Sequence, residues 1–196
     1  MLFRPSRVAM ALLCALTLAA CENKPPVQKL PEISFADKRP FMLDVGQLEI
    51  VPEYISPGKR PNIEHLMPVS PENATVRWAQ DRLRPVGRSG FARVVIKDAK
   101  VVEVPLKTDK GFTGMFKQEQ EERYDASLDV AIQILDERHM PVADVVARAT
   151  RTRTVPEGVS LNERDRVLYE ISESLIRDID TQMDGLIRSY LNRWVQ

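Results

Sequence analysis

Residues 124–155, YDASLDVAIQILDERHMPVADVVARATRTRTV, decide the fold. Tyr124, Ala126, Leu128, Val130, Ile132 and Ile134 are apolar, and Asp125, Ser127, Asp129 and Gln133 stand between them. A period of two marks a strand with one face in a core and the other in water. Asp136 to Pro141 supplies turn chemistry. Val142 to Val155 then returns with Ala143, Val145, Ala147 and Ala149 inward, so the two runs predict an antiparallel pair.

The neighbouring segments extend this pair into a sheet with helices. Phe91 to Leu106 places Val94, Ile96, Val102, Val104 and Leu106 on even positions, with Arg93, Lys97 and Glu103 on odd ones. This is a half-buried strand interrupted near Asp98-Ala99-Lys100. Ser70-Pro71 opens a short helix, with Ser as N-cap and Pro at the first helical position. Val76, Ala79 and Leu83 share one face of it, Arg77, Arg82 and Arg84 form its wet side, and Pro85 with Gly87 ends it. Phe41 to Tyr54 reads as a first strand whose apolar register shifts at Gly46, which implies a bulge.

After Pro156 and Gly158, Ser160 and Glu163 form a capping box. Leu168, Ile171, Leu175, Ile179, Met183, Ile187, Tyr190 and Trp194 follow at spacings of three and four, one stripe of a helix from about Leu161 to Trp194. At 1.5 Å per residue that helix is roughly 50 Å long. The order β-α-β-β-β-α therefore predicts an α+β two-layer sandwich. A four-stranded mixed or antiparallel sheet is covered on one face by two helices, and the C-terminal helix is long. The opposite face is left either polar and exposed or covered by a partner.

The amino terminus carries a different kind of signal. Arg4 and Arg7 precede an uncharged run, Val8 to Ala20, which is short for a membrane span and fits a secretory signal. Leu18-Ala19-Ala20-Cys21 closes it, and this sequence resembles the lipobox of bacterial lipoproteins. The resemblance implies cleavage before Cys21, a diacylglycerol on its thiol and a further acyl chain on its freed amine. Each buried methylene of such chains contributes about 0.8 kcal/mol to anchoring. Cys14 is the other cysteine of the chain, and it lies in the segment that would be removed, so no internal disulfide is expected.

Arg4 and Arg7 leave with residues 1–20, so 28 basic and 28 acidic side chains become 26 and 28, a formal charge of −2. That balance argues against nucleic acid as a partner. Residues 21–40 contain Pro25, Pro26, Pro31 and Pro40 and read as a lipidated, proline-rich tether. Its nineteen residues after the cysteine reach up to roughly 60 Å at about 3.1 Å each, less if Leu30, Ile33 and Phe35 pack back on the domain. Residues 41–196 then form a single domain.

Catalytic constellations are sparse. His65 and His139 fall in a proline-rich loop and a hairpin turn, and no spacing supplies a triad or a zinc site. No metal or cofactor is expected. Glu170, Glu173, Asp178, Asp180 and Asp184 alternate with Arg166, Arg177 and Arg188 and read as the solvated side of the last helix. Arg151 and Arg153 share a strand face and form a basic stripe, able to grip an anionic headgroup or an acidic partner. The plainer alternative pairs that stripe across the strands with Glu119, Glu121 or Asp125. Phe112, Met115 and Phe116 lie between and beside Gly111 and Gly114 in a hairpin tip. They make either a flap over the sheet or an exposed contact for protein or lipid.

The lipobox, the short tether and the β-α-β-β-β-α order together resemble the auxiliary lipoproteins of ABC-type envelope transport, of the PqiC type and the LptE type. The Thr154-Val155-Pro156-Glu157 turn and Ser160-Leu161-Asn162-Glu163-Arg164 also resemble other small lipoproteins. The resemblance implies a non-enzymatic binding or scaffold role in envelope transport or assembly. It implies partners that are an envelope protein, an ABC transporter component among them, or a lipid. Glu22 is not the aspartate that retains such lipoproteins at the inner membrane, which points to the periplasmic side of the outer membrane. Two further readings stand beside this one: a lipid-tethered envelope enzyme, and a structural lipoprotein binding peptidoglycan or a sister subunit.

Overall fold

The computed structural model describes residues 29–106, 120–156 and 158–196. Cys21, Phe112, Met115, Phe116 and Glu157 lie outside the described residues. No described helix is long and apolar enough to cross a membrane.

The central rail is β6, Gln120–Leu135, paired antiparallel along its whole length with β7, Pro141–Pro156. Its other margin carries two strands end to end: β4, Phe91–Asp98, and β5, Val101–Pro105. The interruption read at Asp98-Ala99-Lys100 is the gap between them, and a register shift between Ile96 and Asp98 stands just before it. β2, Gln47–Pro52, then pairs parallel with β4, so the sheet is mixed and four strands wide.

The expected first strand divides in two. β1, Phe41–Leu43, leaves the main sheet and pairs parallel with β3, Leu83–Pro85. Residues 44–46 make the turn between β1 and β2, where Gly46 N–H donates to Ser89 O at 2.9 Å. Gly87 passes so close to this turn that a Cβ would lie 2.5 Å from the Asp44 carbonyl carbon. The register shift read at Gly46 marks this division, where β1 ends and β2 begins, and not a bulge within one strand.

α1, Pro71–Arg82, and α2, Leu161–Tyr190, cover one face. Both start as expected, with Ser70 Oγ accepting from Asn73 N–H and Ser160 Oγ from Glu163 N–H, each at 3.2 Å. α2 stops four residues early, about 45 Å long at 1.5 Å per residue. Its stripe closes on Leu191, which is buried, while Tyr190 is 67% exposed. Residues 192–194 tighten into a 3-10 turn, and the chain end then lies along β1, with Asp44 N–H donating to Trp194 O at 2.7 Å.

The buried face of α1 also differs from expectation. Ala74, Thr75, Trp78, Ala79 and Arg82 point into the core, so Arg82 is not on the wet side. Ile33 and Phe35 are fully buried as well, and Ser34 Oγ and Phe35 N–H donate to Asp81 at 3.0 and 2.8 Å. Of the two readings of residues 30–35, packing back on the domain holds.

No described helix lies on the second face of the sheet. A row of Val51, Val95, Ala131 and Val146 crosses four of the five strands there, β2, β4, β6 and β7, outside the main core cluster. Val95 and Ala131 are nonetheless 2% and 1% exposed. Rows of long polar side chains flank them, tied by Arg93 to Glu49 at 2.8 Å and Arg148 to Asp129 at 2.6 Å. The face covers its own apolar row with the stems of charged residues.

Candidate functional site: buried charge clusters and the β7 margin

The carboxylate row assigned to the solvated side of α2 proves to be divided. Glu170, Glu173 and Asp178 follow expectation, and Arg166 and Arg177 pair with Glu170 and Glu173 one turn away. Asp180 does not, being 2% exposed. Position 180 falls one helical turn after Ile176 and beside Ile179 and Met183, within the apolar arc. The Asp180 carboxylate accepts from Trp78 Nε1 at 2.9 Å, Arg82 Nε at 2.7 Å and Lys38 Nζ at 2.5 Å. Burial alone would raise its pKa, and these donors outweigh burial and hold it below the usual carboxylate range. Arg82 continues to Asp184 at 3.0 Å and to the Arg39 carbonyl, and the Arg82 and Arg188 guanidiniums lie over the Phe41 ring at 5.0 and 5.1 Å. The cluster binds the entering chain, α1 and α2 together.

A second buried carboxylate, Glu64, sits in the loop before α1. It accepts from Tyr54, Ser56, Asn62 and the Val101 N–H at 2.9, 2.8, 3.1 and 2.7 Å. Its pKa is again lowered, because those donors overcome the opposing effect of burial.

The third cluster has the opposite sign. Glu103 on β5 stands opposite Tyr124 on β6, and Pro105 opposite Glu122, so both glutamates share the core face where β5 ends and β6 begins. Arg60 reaches Glu103 at 2.7 Å, Arg164 from the first turn of α2 reaches Glu122 at 3.2 Å, and Tyr124 Oη donates to Glu122 at 2.6 Å. Burial and then the neighbouring Glu122 charge push the Glu103 pKa up, against the pull of Arg60 and Arg164. Tyr124 is pushed up likewise, by burial and by its bond to Glu122. The alternation of β5 places Glu103 on a charged, outward register, so its burial was not legible.

Of the expected site residues, Arg151 and Arg153 are described. They do share a face, the one toward α2, beyond the last inward alanine of β7. Arg151 pairs with Asp178 of α2 and also donates to the Thr150 carbonyl at 2.9 Å. Arg153 is exposed and has no ion pair among the described residues. Asp125, one of the expected cross-strand partners, is instead held by Arg123 at 2.8 Å and Thr152 at 3.0 Å. Its pKa is lowered chiefly by Arg123. Arg148, not part of the stripe, is the one that pairs directly across the strands, with Asp129.

His65 and His139 lie at opposite ends of the sheet. His139 stacks on Phe91 at 4.0 Å and approaches Glu49 at 3.7 Å, while His65 is next to Glu64, which binds Val101. Val101 lies ten positions on from Phe91, about 33 Å along a strand. Among the described residues no group of histidine, cysteine or carboxylate side chains could hold a metal ion. An open groove of about 610 Å³ lies at the His139 end, lined by Asp44, Leu135, Arg138, Val142, Arg193 and Trp194 among others.

No family model and no curated protein matches this chain. Solved structures similar in outline include the rare lipoprotein B of Shewanella oneidensis, at 12% identity and a TM-score of 0.37, covering 73% of this chain and 95% of that one. A Xanthomonas campestris protein of the DUF330 family is similar at 13% identity and a TM-score of 0.32, covering 75% of this chain and 86% of that one.

Proposed function

We propose that this chain is a lipid-anchored, non-enzymatic binding or scaffold component of a bacterial envelope, acting in transport or assembly on the periplasmic side of the outer membrane. The observation that carries the reading is Leu18-Ala19-Ala20-Cys21, followed only twelve residues later by Ile33 in the domain core. Eleven residues separate the two, about 34 Å of extended proline-rich chain, so the domain works close to the bilayer that holds its lipid. The buried carboxylates Asp180 and Glu64 are taken up by structural donors and hold the fold together. One observation favours the tethered-enzyme reading, the raised pKa of Glu103, which burial and the neighbouring Glu122 charge push up. Arg60, Arg164 and Tyr124 close that pair, and neither glutamate lines the groove described above.

The test is metabolic labelling with a radioactive fatty acid and membrane fractionation of wild type and Cys21→Ser. Label in the wild type alone, with the variant released or left uncleaved, is the expected result. Label that persists in Cys21→Ser sinks the anchor. Photocrosslinkers at Phe112, Met115, Phe116 and Arg153 in cells then read the partner, and a specific protein or lipid adduct is expected from at least one of these sites.

A further inference from the structure

β7 forms one margin of the sheet, since β6 is its strand partner over all its paired residues. A long open margin of this kind is a template for an added strand unless something blocks it. Something does, at one place. Gln182 of α2 donates from Nε2 to the Arg148 carbonyl at 2.9 Å and accepts from the Arg148 N–H at 3.4 Å. A helix side chain thus occupies both backbone groups that a neighbouring strand would take.

This contact also fixes the parity of the strand. The N–H and C=O of one strand residue point to the same side and alternate along the chain, so Asp144 and Val146 point outward like Arg148. Beyond Arg148 the Thr150 carbonyl is taken by Arg151. Ahead of it, the outward backbone groups of Asp144 and Val146 have no partner among the described residues. Asp144 is exposed, Val146 half-buried, and nearby Met140 and Val142 are 59% and 51% exposed.

We propose that the β7 margin at residues 144–146 receives an extended segment of another protein as an added strand, one that presents an apolar, a basic and an apolar residue in turn on a single face. This deepens the binding reading above and rests on it. Charge selects the occupant. A second copy paired about Asp144 would set two carboxylates opposite each other, which is destabilising. Shifting that pairing to centre on Val146 would match Asp144 with Arg148, and Gln182 already fills the Arg148 position. A foreign strand with lysine or arginine opposite Asp144 and apolar residues opposite Val142 and Val146 meets neither obstacle, and backbone bonds would supply its affinity.

The experiment is residue-resolved amide hydrogen exchange on the full chain in detergent micelles, with a capped heptapeptide, Thr-Val-Thr-Lys-Thr-Val-Thr, whose one face reads valine, lysine, valine, and its counterpart with glutamate in place of the lysine. The lysine peptide is expected to slow Asp144 and Val146 by about tenfold or more, leaving the inward Ala143 and Val145 unchanged. Val146→Pro, tolerated where the N–H faces outward, should abolish the effect, and Gln182→Ala should extend it to Arg148. Asp144→Lys should transfer the preference to the glutamate peptide. No slowing with either peptide overturns the proposal, as does equal slowing by both. So does protection already present without peptide: if it rises with protein concentration a second copy covers the margin, and if not, the chain covers itself. Fractionation of Cys21→Ser reads the anchor independently of this margin.

Discussion

The Asp180 and Glu103 clusters are both carboxylates sealed into one domain, and they stand in opposite electrostatic states. Asp180 faces an ammonium, a guanidinium and an indole N–H, and its pKa falls. Glu103 faces a guanidinium and another carboxylate, and its pKa rises. Burial pushes both upward, so the partners decide the sign. The first cluster holds three segments together, whereas the second keeps the repulsion between Glu103 and Glu122 where β5 ends and β6 begins.

The comparison breaks most severely at Asp180→Ala. That change strands Arg82, 3% exposed, without its central partner, and should cost about 3–5 kcal/mol in denaturant unfolding. Loss of less than about 1 kcal/mol would mean the cluster behaves as a surface pair. Ser160→Ala comes next, at about 1 kcal/mol, through the α2 turn that carries Arg164 to Glu122. Glu103→Gln should do the reverse and stabilise. A folded pKa raised above the unfolded one gives stability that is complete below the ordinary carboxylate pKa and is lost as pH rises through the folded value. The advantage of Glu103→Gln over wild type should therefore be absent in acid and grow toward neutral pH, as read by melting temperature across pH. Asp180→Asn should show the opposite trend, its deficit shrinking as pH falls below the ordinary carboxylate range, because the Asp180 contribution is lost there. Arg153→Ala should be smallest, within about 0.5 kcal/mol, so any loss of crosslinked partner there would reflect binding.

Much of the scaffold was legible because it depends on local periodicity and caps. The alternation of Tyr124 to Ile134, the break after Asp98 and the serines at 70 and 160 all act within a few residues of themselves. What was hidden depends on distant partners. Asp180 reads as one more acid on an acid-rich helix until Trp78 and Arg82 are brought against it from about a hundred positions away. The same holds for Glu103, whose outward register conceals its seal, and for Arg151, whose partner sits on α2 and not on the adjoining strand. The β1–β3 ribbon was hidden for a related reason, since its pairing joins residues 41–43 to 83–85 across an intervening helix.

The docking of Ile33 and Phe35 also sets a load path. Tension drawn through an anchored amino terminus enters the domain where Asp81 grips Ser34 and Phe35, and passes through Lys38 to Asp180. The pull is thus shared by both helices before it reaches β1 at Phe41. A thermally jostled membrane would tug first on polar contacts and a buried ring, and the β6–β7 pair would stay mechanically quiet.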